Sequence, residues 1–271
     1  MIPIAQFFRA RRGKRLFPSS LPALLAVLLA GAGPAAPAAE LRETVAAVKR
    51  SVVAIGSYQP TRSPAIVYSG TGWVTGDGLS VITNAHVVPE VPDLARQESW
   101  GIVVADGDNV RFRPATLAGR DTEHDLLHLR LAGTPLPALK LADSDGAGEG
   151  QDLAFTGFPL GMVLGFHPAT HRAVLAAITP MTSPAVTSRQ LDARAVKQLQ
   201  RPPVIVFQLD AIAYPGNSGS PLYDPASGAV YGVLNMVYVK GRKENAISTP
   251  SGIGYAVPSN YVRDLLREKP Q

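Results

Sequence analysis

Short apolar runs separated by turn residues recur from Ser51 to Val257, and they limit the architecture of this chain more than any other feature. Eleven can be marked: Ser51–Ile55, Ile66–Val74, Leu79–Thr83, Gly101–Ala105, Val110–Leu117, Leu126–Leu131, Leu153–Thr156, Arg172–Ile178, Val204–Leu209, Val230–Val239 and Ile253–Val257. Their length and their content of β-branched and aromatic residues predict strands. Gly76-Asp77-Gly78 reads as a hairpin turn between two of them. Many strands at this spacing predict an all-β fold, a sandwich or barrels. Asp143–Gly150, polar and glycine-rich, reads as a linker between two halves of similar size. Three helices are expected beside the strands. Leu41–Arg50 presents Leu41, Val45 and Val48 on one face. Leu191–Gln200 lies inside a proline-flanked excursion at 180–203, and a last helix at 259–268 has Ser259 as N-cap and presents Tyr261, Leu265 and Leu266.

With 271 residues, 46% of them hydrophobic, the chain can bury a large core without staples. It has no cysteine, which excludes disulfides, thiolate metal sites and a cysteine nucleophile. The formal charge of +5 invites a nucleic-acid reading, but its distribution argues against one. Arg9, Arg11, Arg12, Lys14 and Arg15 all precede residue 40, and without them 21 basic residues face 21 acidic ones. The body is formally neutral, with no bulk field for phosphate or anionic lipid. Those five charges are followed by the apolar stretch Leu21–Ala32 and by Gly33-Pro34-Ala35-Ala36-Pro37-Ala38-Ala39. This is the pattern of a secretory signal at 1–39, cleaved after Ala38 or Ala39. The apolar stretch is shorter than the roughly 18–20 residues that span a bilayer, so no membrane span is expected after cleavage; an uncleaved anchor is the alternative.

Chemistry is concentrated in three places. Tyr214-Pro215-Gly216-Asn217-Ser218-Gly219-Ser220-Pro221-Leu222 sets a hydroxyl between two glycines on a tight turn ahead of an apolar run. Attack on a carbonyl needs such exposure, because backbone N–H groups must reach the developing oxyanion. Gly216 and Gly219 supply the dihedrals, and the N–H groups of Gly216 and Ser218 are the candidate oxyanion hole. Taken alone, the stretch is equally an ordinary Pro-Gly-Asn-Ser turn. His86, in Thr83-Asn84-Ala85-His86-Val87-Val88, stands at a strand end where a general base can be held rigidly. Asp125 abuts the apolar run that follows it, so it can accept a hydrogen bond from an imidazole; Asp121 and Glu123 compete for that role without touching the run. The order His86, Asp125, Ser218 is that of chymotrypsin-type enzymes. No histidine pair has a metal-binding spacing such as His-Glu-x-x-His, and no cofactor is expected.

These stretches, with Gly70-Thr71-Gly72-Trp73-Val74, Leu141-Ala142-Asp143-Ser144-Asp145, Gly157-Phe158-Pro159-Leu160-Gly161 and Gly252–Ser259, resemble a trypsin-fold serine protease of the HtrA/DegP type from about residue 41 to 267. The resemblance implies two perpendicular six-stranded β-barrels, at about 51–142 and 151–258, with the triad in the cleft between them. It implies a serine endopeptidase of unfolded or damaged proteins, secreted or periplasmic, and a homotrimer. It also places Ile212 at the base of the primary specificity pocket, with Leu234, Asn235 and Met236 on the facing wall. An apolar pocket cannot hold a buried cation, so small or medium aliphatic residues are expected at the cleavage site. Asp210 is not read as a specificity acid.

Three departures from the family pattern stand out. Ser220 occupies a position where the family usually has glycine; a hydroxymethyl group there can crowd the turn, although serine is the smallest polar replacement. The chain ends at Gln271, where family members continue into a PDZ domain. The segment 180–203 is longer than expected, either a cap on the cleft or a surface insertion. A peptide-binding chaperone on the same fold, with an unformed oxyanion hole, is the competing reading. An esterase is a third, disfavoured by the absence of a strand-to-helix nucleophile elbow.

Overall fold

The computed structural model of the chain describes residues 37–88, 92–106, 109–161, 167–181, 203–235 and 252–268. The turn-punctuated runs become strands β1 (Val52–Tyr58), β2 (Ile66–Thr75), β3 (Ser80–Asn84), β4 (Ser99–Asp106), β5 (Asn109–Asp121) and β6 (Leu126–Leu131), then β7 (Asp152–Gly157), β8 (Ala169–Pro180), β9 (Ile205–Asp210), β10 (Pro221–Tyr223), β11 (Val230–Asn235) and β12 (Ile253–Pro258). The first six close into an antiparallel barrel in the order β1-β2-β3-β6-β5-β4, and the last six into another in the order β10-β11-β12-β9-β8-β7. Closure leaves neither sheet with an exposed edge.

Several strands are apolar at consecutive positions, and the packing explains why. Val53 and Ile55 point into the first barrel, whereas their neighbours Val52 and Ala54 point into a cluster shared by both barrels. Leu127 and Leu129 against Leu126 repeat the division. In the second barrel Leu153 and Phe155 face inward and Ala154 faces the shared cluster. A strand that buries both faces loses the alternation of a half-exposed strand. Trp73, wholly buried, is the largest side chain of the shared layer.

β10 is the strand that the sequence pattern misses. It has three residues and starts at a proline, which removes a ladder donor. β5 runs to Asp121, beyond the expected end at Leu117, through a register shift between Leu117 and Gly119. Such an irregularity re-aims the residues after it, here Arg120 and Asp121.

Helix α1 (Pro37–Lys49) and helix α2 (Ser259–Arg267) flank the barrels. α1 packs Leu41, Thr44, Val45 and Val48 inward, and Thr44 Oγ1 donates to the Ala226 carbonyl at 3.1 Å. Ser259 is not the N-cap of α2: that position is Pro258, and the buried Ser259 hydroxyl donates instead to the Ala142 carbonyl at 2.8 Å. With Asn260 Nδ2 on Asp143 Oδ1 at 2.9 Å, it ties the helix to the inter-barrel linker. Val262 is buried alongside Leu265, a position the expected face omits. The expected helix 191–200 and the end of the expected strand beyond Asn235 lie outside the described residues. Among the described residues, no helix is long and apolar enough to cross a membrane.

Candidate active site

The pairing of β3 with β6 sets Asn84 opposite Leu126, so the residues just past Asn84 lie beside Asp125. His86 occupies a single 3-10 turn, Ala85–Val87, at the end of β3. Asp125 grips this turn in several ways. Its backbone carbonyl accepts from the Ala85 N–H and from Asn84 Nδ2, both at 3.0 Å. Its carboxylate accepts the His86 N–H on Oδ1 at 2.9 Å and faces His86 Nδ1 with Oδ2 at 2.6 Å. Backbone and ring of His86 are thereby oriented by one carboxylate, and the ring's Nε2 is the nitrogen left for chemistry. Asn235 Nδ2, from β11 of the second barrel, donates to the same Oδ2 at 2.8 Å. The two side chains are partly sheltered, His86 31% and Asp125 18% exposed.

Asp125 stands at φ 54°, in the left-handed region that aspartate tolerates better than most residues. Asp121 builds the turn that delivers it. Its Oδ1 accepts the Glu123 and His124 N–H groups at 3.0 Å, and its Oδ2 meets His124 Nδ1 at 2.5 Å. Burial works against the Asp121 carboxylate, but these partners together hold its pKa below the usual value. Asp121 therefore serves His124, which stacks on Tyr261 at 3.8 Å, and not His86.

Ser218 lies on the turn between β9 and β10 and is 6% exposed. Asn217 N–H bonds to the Tyr214 carbonyl at 3.0 Å, closing a β-turn with Pro215 and Gly216 at its centre. Gly216 has φ +99°, which with proline before it defines a type II turn. The Pro215 carbonyl accepts from Leu160 N–H at 2.7 Å. In a trans peptide the carbonyl and the following N–H point opposite ways, so the Gly216 N–H is directed away from Leu160. Among the described residues the Gly216 and Ser218 N–H groups have no acceptor. Thr71 N–H donates to the Ser218 carbonyl at 2.9 Å. A Cβ on Gly70 would touch Val87, next to His86, at 2.8 Å and the Ser218 carbonyl oxygen at 3.2 Å, so only a glycine separates the histidine turn from the serine turn. No hydrogen bond joins His86 to Ser218 among the described residues; catalytic bonds of this kind commonly tighten only when substrate binds.

Ser220 does not crowd the turn. It is wholly buried, and its Oγ sits where a side chain on Gly157 would otherwise be. The missing side chain of one residue makes room for the extra one of the other. The residues expected at the specificity pocket differ in exposure. Ile212 is 46% exposed. Leu234 packs in the second-barrel core, and Asn235 is turned to Asp125. Met236 lies outside the described residues.

Arg120, which sequence reasoning passed over, donates from Nη1 to the Ala85 carbonyl at 3.3 Å and from Nη2 to the Val88 carbonyl at 3.2 Å, bracketing His86. Nothing in its sequence setting singles it out, because the register shift in β5 is what aims it. Among the described residues no group of three or more potential ligands is arranged to hold a metal ion.

A family profile described as "Trypsin-like peptidase domain" matches residues 70–233. The chain is 30% identical over 203 residues to the mitochondrial serine protease HTRA2 of Drosophila pseudoobscura pseudoobscura, covering 75% of this chain and 39% of that protein. It is 26% identical over 197 residues to a probable periplasmic DegP-like serine endoprotease of Halomonas elongata, covering 72% and 34%. It therefore spans less than half the length of either relative. Among solved structures, the active form of the Rv3671c protease from M. tuberculosis is similar with TM-score 0.60 and 26% identity, covering 85% of this chain and 86% of that one.

Proposed function

Because the chain belongs to the trypsin-like peptidase family, with HtrA proteases among its homologues, we propose that it is a serine endopeptidase working through His86, Asp125 and Ser218. Ser218 Oγ attacks a peptide carbonyl while His86 Nε2 takes its proton. Asp125 holds the ring and stabilises the imidazolium that results. The tetrahedral oxyanion is received by the Gly216 and Ser218 N–H groups. His86 then returns the proton to the leaving amine, and water, activated by the same imidazole, hydrolyses the acyl-enzyme. The observation that carries this reading is the pair of unbonded N–H groups beside Ser218, on a type II turn next to a histidine already locked to an aspartate. A chaperone with an unformed oxyanion hole is disfavoured, because the turn keeps the required orientation with Ser220 in place.

The substrates are unfolded proteins, cut beside small or medium aliphatic residues, since the position six before Ser218 is Ile212 and carries no charge. Residues 1–39 direct export, and cleavage after Ala38 or Ala39 trims only the first residues of α1. The test is degradation of fluorescently labelled, unfolded casein by the chain and by its Ser218→Ala variant. Loss of a triad nucleophile costs about 10⁶ in turnover, so the variant is expected to show no cleavage. Equal rates from both, or cuts confined to Lys and Arg, would overturn the assignment.

A further inference from the structure

Gly216 carries the orientation on which the oxyanion hole depends, yet glycine is the residue least able to hold an orientation by itself. The peptide before it is fixed by Leu160. The peptide after it is held by two side-chain hydroxyls of the first barrel. Tyr68 Oη and Thr71 Oγ1, both on β2, each donate to the Gly216 carbonyl at 2.7 Å. The same hydroxyls engage the neighbouring turn. Tyr68 Oη lies 2.8 Å from the Phe158 carbonyl, and Thr71 Oγ1 accepts the Phe158 N–H at 3.0 Å. The Tyr68 ring fills the space left by Gly161, whose added Cβ would overlap it, and meets Phe158 edge-on at 6.3 Å. Burial of the phenol raises its pKa above the ordinary tyrosine value, so the hydroxyl keeps its proton as a donor.

We propose that Tyr68, seconded by Thr71, is a positioning residue that clamps the peptide after Gly216 and so keeps the Gly216 N–H aimed at the oxyanion. This rests on the protease reading above. β2 spans the distance between the barrels and contacts the nucleophile turn at Gly216 through these side chains and at Ser218 through the Thr71 N–H. The hydroxyls hold Gly216 in place as the pivot of the turn, while the Leu160 bond opposes rotation of the Pro215–Gly216 peptide about that pivot. Without the hydroxyls, the Asn217 N–H bond to Tyr214 is the tie left on the peptide after Gly216.

Tyr68→Phe removes the donor and keeps the ring. In the full chain acting on labelled casein, we expect kcat to fall about tenfold, a fraction of the 10²–10³ lost when an oxyanion donor is removed altogether. KM should stay within about twofold, because the donor serves the transition state and not the bound substrate. Thr71→Val should lower kcat further in the double variant, and Thr71→Ser, which retains the hydroxyl, should restore it. A merely structural role would lower the melting temperature and leave kcat of the folded fraction alone.

A second arm needs no activity. In the Ser218→Ala chain labelled with ¹⁵N-glycine, the Gly216 amide should give one sharp resonance. Tyr68→Phe should broaden or double it. An unchanged kcat in Tyr68→Phe, or an unaltered Gly216 resonance, would overturn the clamp. If the parent chain fails to cut casein, it is the protease reading that falls, and the resonance still decides the clamp.

Discussion

Gly216→Ala is the sharpest perturbation available to the candidate site. The new Cβ would lie 3.1 Å from Tyr68 Oη and 3.3 Å from Leu160 N, and nearer still to the Phe158 carbonyl oxygen. All three belong to groups fixed by hydrogen bonds, so none moves cheaply. Holding alanine at φ +99° adds about 1–2 kcal/mol. The alternative is to rotate the Pro215–Gly216 peptide and adopt a type I turn, which alanine accepts at its third position. That rotation gives up the bond from Leu160 N–H to the Pro215 carbonyl, worth about 1 kcal/mol net. The flip is therefore the cheaper response, and it turns the residue-216 N–H away from the oxyanion and the Pro215 carbonyl toward it. Loss of one such donor costs about 10²–10³ in kcat, or 2.7–4 kcal/mol. Steady-state cleavage of labelled casein should show that loss in kcat with KM little changed, while urea unfolding shows a destabilisation of no more than about 2 kcal/mol. A kcat within threefold of the parent, or a loss carried by KM, would refute the reasoning.

Three further outcomes are expected. Gly157→Ala drives a Cβ into Ser220 Oγ and to 2.9 Å from Asn217 Oδ1 and Thr71 Oγ1, and overpacking of this kind costs about 1–3 kcal/mol. Adding Ser220→Gly should recover part of that in a double-mutant cycle read by urea unfolding, and additive effects would show that the two sites do not compensate. Arg120→Met should lower kcat about tenfold by releasing the Ala85 and Val88 carbonyls around His86, since hydrogen bonds from a charged donor are worth about 1.5–3 kcal/mol; an unchanged kcat would remove Arg120 from the site. Burial lowers the pKa of His128, with the Arg130 charge adding to the effect, and burial alone lowers that of His171. The unfolded chain then protonates first, so stability is complete above the ordinary value of 6.5 and drains as pH falls through the lowered folded values. Urea unfolding at pH 7.5 and pH 5.5 should show the drop, and His171→Gln should lessen it.

The parts of this molecule legible in its sequence are those fixed by local pattern. Strands reveal themselves through short β-branched runs, and even their unbroken apolarity is informative once both faces are known to be buried. His86 and Asp125 could be singled out because each adjoins such a run, at the end of β3 and the start of β6. Asn235 could not be read correctly. It looks like one more position of an apolar wall, and only the closure of two barrels brings its amide to the Asp125 carboxylate from 110 residues away. Arg120 was hidden for a related reason: a register shift, invisible in the sequence, decides which way it points. Leu234 packs in the barrel interior, and strand direction alone does not tell which face of β11 does so.

Ser220 shows how such long-range relations govern what one substitution means. Judged by its neighbours Gly219 and Pro221, a side chain there threatens the turn that presents Ser218. The turn survives because Gly157, at the end of β7, has no side chain to compete for the same space. Gly157 in turn opens the segment whose Phe158 and Leu160 amides bond to Thr71 and to Pro215. The tolerance of Ser220 and the orientation of the oxyanion turn thus depend on one stretch, 157–160, that lies some sixty residues before the nucleophile. Changes in that stretch should alter catalysis as strongly as changes beside Ser218 itself, although none of its side chains needs to touch a substrate.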